Sequence, residues 1–239
     1  MPGIALFQMR IENVNESSHI QAVAARRPFM PDRPIEARLG AGAVIAGRQL
    51  RTVTGTLVAV PDPQRLVHVQ FRRFAGCPIC NLHLHSMMQR RDEIAAANIQ
   101  EIVVFHSTVE EMRVHAADLP FPVIADPDKR LYIEFGVESA PRALLDPRAW
   151  IAILRSIPFS LRASIVERKP LPPTNPRGGR LGLPADFLIA PDGRVMASKY
   201  GDHADDQWSV DELLSLAGRR EERNAPPPHS CSSESAVKS

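Results

Sequence analysis

Two cysteines three positions apart, in Gly76-Cys77-Pro78-Ile79-Cys80, have the types and spacing that most directly suggest chemistry. The thiolate is the reactive form of cysteine. At a helix N-terminus, where unpaired N–H groups and the helix dipole favour an anion, its pKa falls to ~3.5–7.5 from ~8.5. A second cysteine one helical turn on is placed to attack an oxidised first one and close a local disulfide. Cys77 is therefore the expected nucleophile and Cys80 the resolving thiol. Arg72 and Arg73 either add positive potential or are solvated strand-end charges. Two other readings stand beside the redox pair. In a zinc site, His83 joins both cysteines at ligand-like spacing, and His203 or His106 would complete the set. No second paired motif supplies that ligand, and His83 and His85, two apart on a helix, point to different faces. In the other reading, both cysteines are small, inert core residues.

The redox reading needs a strand that delivers Cys77 to the carboxyl edge of a sheet and a helix that starts there. The run Leu66-Val67-His68-Val69-Gln70-Phe71 predicts a strand covered on both faces. Leu82, Leu84, Met87, Met88 and Ile94 predict a helix from Pro78 to about Asn98. A second strand, Ile102–Phe105, runs into Ser107-Thr108-Val109-Glu110, which has capping-box spacing and opens a helix over Glu111–Asp118. Phe121–Ala125 predicts a short strand. Asp126-Pro127 caps a helix through Tyr132 and Phe135 that Gly136 stops. This alternation argues for an α/β fold with a largely parallel sheet.

Residues 139–180 break the rhythm. Trp150 to Val166 has helical spacing interrupted by Pro158, followed by KPLPPTNPRGGR. A surface helical hairpin packed on the domain is the expectation, and a lid or partner-binding insertion is the alternative. Phe187–Ala190 and Val195–Ala197 flank a Pro191-Asp192-Gly193 turn and predict an antiparallel hairpin. Ser209 and Glu212 form a capping-box pair for a last helix, Val210–Ala217, with Gly218 as its stop. The expected organisation is an N-terminal arm over 1–37, one domain over 38–217 with an insertion at 141–180, and a disordered tail over 218–239.

Composition narrows the function classes. Of 239 residues, 44% are hydrophobic and 23% charged, enough for a core. The formal charge, 29 − 27 = +2, is too balanced to argue for a nucleic acid or an anionic membrane as partner. With 13 glycines and three cysteines, collagen and a disulfide scaffold are excluded. The longest apolar candidate, Leu39 to Ala46, is far short of the ~18 residues of a spanning helix. MPGIALFQMRIENV reads as no export leader. A soluble protein of a reducing cytoplasm is expected, which favours redox or metal chemistry over a structural disulfide. Cys231, in the tail, is either a resolving thiol from another subunit or an incidental one. Asp202-His203-Ala204-Asp205-Asp206 reads as a helix-leading turn.

FRRFAGCPIC resembles the active-site strand and turn of the peroxiredoxin-like branch of the thioredoxin superfamily, the alkyl hydroperoxide reductase/thiol-specific antioxidant type. LPFPVIADPDKRLYIEFGV is similar to that family's segment from third strand to helix. GLPADFLIAPDGRV is similar to the superfamily's later hairpin. The likeness spans about residues 40 to 217 without the 141–180 stretch. It implies a thioredoxin-like fold with a central mixed sheet flanked by helices. It also implies a thiol peroxidase in which Cys77 attacks a hydroperoxide, Cys80 is the second cysteine, and Pro184 is a cis-proline facing the pair. A thioredoxin-like or small-thiol reductant and a second copy in a homodimer are the expected partners, and no metal or organic cofactor is required. The chain departs from the family in having Gln70 and Phe74 where a proline and a threonine precede the cysteine. Arg142 and Arg180 are the candidates for the arginine that flanks the thiolate. Thiol–disulfide exchange on proteins and a non-enzymatic binding module are the competing functions.

Overall fold

The computed structural model describes residues 38–115, 118–140, 142–166, 176 and 178–224. The chain divides into two units, Met1–Arg33 and Pro34–Ser239, and all described residues lie in the second. The expected arm, most of the proline-rich loop, and the chain beyond 224 with Cys231 lie outside the described residues.

A hairpin of β1 (Arg48–Arg51) and β2 (Leu57–Val60), too short to show periodicity in sequence, precedes the central strand β3 (Leu66–Arg72). There follow α1 (Pro78–Gln89), α2 (Arg91–Ala96), β4 (Ile99–Phe105), α3 (Val109–His115), β5 (Val123–Ala125), α4 (Arg130–Glu134), α5 (Arg142–Leu145) and α6 (Pro147–Val166). The chain closes with β6 (Ala185–Ile189), β7 (Val195–Tyr200) and α7 (Val210–Asn224). The main sheet has the order β5-β4-β3-β6-β7. Strand β3 pairs parallel to β4 and antiparallel to β6, β4 runs parallel to β5, and β6 antiparallel to β7. The sheet is therefore mixed, as the thioredoxin-like resemblance implies, and not largely parallel as the alternation alone suggested, because the Pro191-Asp192-Gly193 hairpin brings β6 and β7 in antiparallel.

Every residue of β3 and β4 is buried, so the sheet is covered on both faces. Alternation separates two cores. Val67, Val69 and Phe71 share one face with Ile102, Val104 and Phe187, under Tyr132 and Phe135 of the α4 segment. The opposite face, which carries α1, α2, α6 and α7, includes Leu84, Met87, Ile94, Val103, Phe105 and Leu213. On that second face β3 presents His68, Gln70 and Arg72, all fully buried.

These polar side chains close a ring. His68 Nδ1 lies 2.9 Å from Glu101 Oε2, and His68 Nε2 lies 3.3 Å from Asp186 Oδ1. Arg72 Nη2 donates to Asp186 Oδ1 at 2.9 Å. Gln70 donates to Glu101 and accepts from Arg72, joining the two ends. The Trp208 N–H donates to the other Asp186 oxygen at 3.2 Å. Burial pushes the His68 pKa down, but Glu101 and Asp186 outweigh it and raise it to about 9. His68 is thus a cation at neutral pH. Two cations face two anions, and this neutrality makes the ring tolerable in a low dielectric.

Several boundaries differ from expectation for local reasons. The helix from Pro78 breaks at Arg90 into α1 and α2. The capping box is one residue later than its sequence spacing suggested. The Thr108 N–H donates to Glu111 Oε2 at 3.0 Å and the Glu111 N–H to Thr108 Oγ1 at 3.3 Å. Ser107 is engaged elsewhere, with the turn before Cys77. Asp126 does cap α4, accepting from the Arg130 and Leu131 N–H groups at 3.0 and 2.8 Å, but Lys129 is left-handed and delays the helix start. Helix α6 runs unbroken through Pro158, because Leu154, whose carbonyl the proline leaves without a donor, is on the solvent side. The Ser209–Glu212 box forms, but α7 continues through the exposed Gly218, where glycine costs only about 1 kcal/mol against alanine.

Candidate active site

Strand β3 ends at Arg72, and the chain turns through Arg73 to Gly76 before α1 begins. The Cys77 N–H donates to the Phe74 carbonyl at 3.1 Å and closes the turn. Gly76, third in that turn, has φ +77°, and a Cβ there would lie 2.9 Å from His115 Nδ1. Only glycine meets both demands. The Ala75 N–H donates to Ser107 Oγ at 2.9 Å, tying the turn to the end of β4.

Cys77 is the N-cap of α1, with extended φ/ψ (−60°, 117°), and Pro78 follows at the first helical position. Its carbonyl accepts from the Asn81 N–H at 2.9 Å, the first bond of the helix. Both cysteines are free thiols and both are buried, Cys77 to 0% exposure. Burial alone would push the Cys77 pKa up. The Cys80 thiol donating to it, the Arg73 charge, and the N–H groups of Cys80 and Ile79 outweigh burial and lower it to about 6. Burial and the neighbouring Cys77 thiolate push Cys80 well above the ordinary range. At neutral pH the pair is therefore one thiolate and one thiol.

Arg73 Nη1 points to Cys77 Sγ at 3.8 Å. Its other amino group donates to the Arg180 carbonyl, and its guanidinium lies 5.4 Å from the centre of the Phe74 ring. The positive charge beside the thiolate is thus that of Arg73. Arg180 contributes its carbonyl, which orients Arg73, while its own side chain is exposed. Arg142 begins α5, and its side chain lies outside the described set. Arg72, adjacent in sequence to Arg73, is turned to the buried ring. Tyr132 binds the backbone of both central strands at this edge, its hydroxyl reaching the Arg72 carbonyl and, at 3.0 Å, that of Val104.

The segment before β6 lies over this edge. The Ala140 N–H donates to Leu181 O at 2.9 Å and the Leu183 N–H to Glu138 O at 3.0 Å. Gly182 comes so close that a Cβ would sit 3.1 Å from His106 Nε2 and 3.7 Å from Arg73 Cγ. Pro184 is buried at the start of β6, but the expected cis bond is absent, since Leu183–Pro184 is trans and the cis bond of the described chain is Val60–Pro61. Backbone pairing through Leu183 and from the Gly201 N–H to Pro184 O, at 2.9 Å, continues an extended course that suits a trans bond.

The zinc set is not assembled. Among the described residues no group of three or more His, Cys, Asp and Glu side chains gathers as a metal site. His83 is half-buried on α1 with its Nε2 enclosed, and desolvation followed by the Arg72 charge pushes its pKa well down, so it is neutral. His106 stacks edge-on against Tyr132 at 5.7 Å. His203 belongs to the expected turn, where its Nδ1 accepts from the Asp205 N–H at 3.3 Å and Asp206 accepts from the Asp202 N–H at 3.0 Å. Sequence reasoning missed the Ser107 and Tyr132 contacts, and it offered Arg72 and Arg73 together where only Arg73 meets the sulfur. Position alone, four residues before Cys77, was the available signal for Arg73.

The family model for AhpC/TSA antioxidant enzymes matches residues 86–203, beginning after both cysteines. No curated protein matches the sequence. Among solved structures, the peroxidoxin BcpB of Mycobacterium tuberculosis is similar with a TM-score of 0.52 at 15% identity, covering 76% of this chain and 98% of that one. A cysteine mutant of the peroxiredoxin 6 of Arenicola marina gives 0.55 at 15% identity, with 80% of each chain covered. AhpC of Enterococcus faecalis gives 0.53 at 14% identity, covering 79% and 96%. Identities this low establish the shared fold.

Proposed function

We propose that the chain is a peroxiredoxin-like member of the thioredoxin-fold superfamily and that it reduces hydroperoxides through Cys77. The reading rests on one observation above all: a thiolate with a pKa of about 6 at the N-cap of α1, held by Arg73 and by the Cys80 thiol. Cys77 Sγ attacks the terminal oxygen of the hydroperoxide, and the O–O bond breaks. The leaving alkoxide or hydroxide takes a proton, and Cys77 becomes a sulfenic acid. Cys80 then attacks Cys77 Sγ, water leaves, and a Cys77–Cys80 disulfide forms. A thioredoxin-like or small-thiol reductant returns the pair to the dithiol. A reducing cytoplasm is the compartment this cycle suits. Pro184, at the start of β6, serves in this reading as a positioning residue for the approach to the pair.

Complete burial of Cys77 favours a hydroperoxide over a protein disulfide. A peroxide is small enough to reach a sulfur below the surface, whereas a protein disulfide needs the sulfur at the surface. Stopped-flow oxidation of the reduced protein tests the reading, with hydrogen peroxide and an organic hydroperoxide as oxidants. Wild type should react far faster than a free thiol, Cys77→Ser should be inert, and Cys80→Ser should stall as a sulfenic acid. Equal, free-thiol rates for all three proteins would reject it.

A further inference from the structure

Helix α6 turns its small residues inward and its large apolar ones outward. Ala149, Ala152 and Ser156 are buried, consistent with close packing against α1. Trp150, Ile151, Leu154, Ile157, Leu161 and Ile165 are each between 53% and 69% exposed. At 3.6 residues per turn these six project within one stripe roughly 120° wide, opposite the buried side. Arg148, Arg155 and Arg162 recur every seven residues along one edge of that stripe, and all three are exposed. Arg155 shares its field with Asp205, but Pro147–Val166 itself contains no aspartate or glutamate.

We infer that this face of α6 docks on an anionic lipid surface. An apolar stripe with a large aromatic residue and a row of arginines at its margin is the pattern of a helix lying in the bilayer interface. There the stripe sinks among acyl chains while the arginines meet lipid phosphates. Charge selects this occupant over a second copy. Two α6 helices packed antiparallel about a two-fold axis would bring both arginine rows to the same edge of the contact, with no acidic residue of either helix to answer them. The whole-chain balance of +2 averages this row away, which is why composition predicted no membrane partner. The inference is independent of the thiol chemistry.

Co-sedimentation of the full, reduced chain with vesicles tests it, comparing phosphatidylcholine alone with phosphatidylcholine containing phosphatidylglycerol. Wild type should pellet with the anionic vesicles and not with the neutral ones. Arg148→Gln/Arg155→Gln/Arg162→Gln should weaken binding on the order of a hundredfold, since each basic residue at such a surface contributes about 1 kcal/mol. Leu154→Glu/Leu161→Glu should abolish it. Both variants change exposed residues and should keep the wild-type melting curve. Failure of wild type to pellet with anionic vesicles overturns the inference, as does equal pelleting with neutral ones. A wild-type dimer, seen by light scattering, that Leu154→Glu/Leu161→Glu splits into monomers also overturns it and assigns the face to a second copy.

Discussion

The two faces of strand β3 are built on opposite principles. On one, Val67, Val69 and Phe71 pack against apolar and aromatic neighbours, with Phe71 edge-on to Tyr132 at 4.9 Å and to Phe187 at 5.7 Å. On the other, His68, Gln70 and Arg72 join Glu101 and Asp186 in a closed, charge-balanced ring beneath the helices. The apolar face tolerates shape changes gradually, because dispersion and burial are spread over many contacts. The polar face is conditional, since each member is acceptable only while its partners remain. At the carboxyl end of the strand the same contrast separates two neighbouring arginines. Arg72 neutralises a buried carboxylate, while Arg73 lies beside the Cys77 thiolate.

The largest expected effect comes from breaking the conditional face. Arg72→Met leaves Asp186 buried with half its counter-charge, and urea unfolding should report a loss of about 3–5 kcal/mol. A loss below 1 kcal/mol would mean that water or a shifted partner replaces the guanidinium.

The ring also predicts a pH dependence. His68 binds its proton more tightly folded, with a pKa of about 9, than unfolded, near 6.5. Its stabilisation is complete below about pH 6.5 and fades as the pH rises through about 9. Melting temperatures should decline over that window, and His68→Gln should flatten the decline. An unchanged slope in the variant would remove His68 from the account.

Arg73→Gln sharpens the contrast between the arginines. It should raise the Cys77 pKa from about 6 toward the ordinary thiol range, read as the midpoint of thiolate absorbance or of alkylation rate against pH. Stability should change far less than in Arg72→Met. If stability falls as much while the midpoint stays, the roles assigned to the two arginines are reversed. On the apolar face, Ile102→Val should cost only about 0.5–1.5 kcal/mol, the smallest effect in the set. A cost equal to that of Arg72→Met would end the distinction between the faces.

Much of the frame was legible along the chain because its signals are local. Apolar runs marked β3 and β4, the Pro191-Asp192-Gly193 turn marked the β6–β7 hairpin, and Ser209 with Glu212 marked the start of α7. Where local signals competed, the sequence reading went astray. Ser107 and Thr108 both offered a capping hydroxyl, and the choice was made by Ala75, 32 residues away, whose N–H claims Ser107. Pro158 read as a helix breaker because sequence spacing does not report which carbonyl faces solvent. The run holding His68 and Gln70 predicted a strand covered on both faces, but nothing near it in sequence named the partners of His68, Gln70 and Arg72, which lie on β4 and β6.

The sequence by itself determined that two cysteines with helical spacing stand where a buried strand gives way to a helix, with a glycine to make the turn. That follows from backbone preferences and apolar periodicity, which act between near neighbours. The helix N-terminus already marked Cys77 as the expected thiolate, but tertiary structure alone decided that Arg73 lies beside the sulfur while Arg72 serves the core, and that α6 faces outward with its large residues. Those outcomes depend on burial and on charges brought close from distant parts of the chain. A pKa or an exposed face is a property of the surroundings in space, and the order of residues does not contain it until the chain has folded.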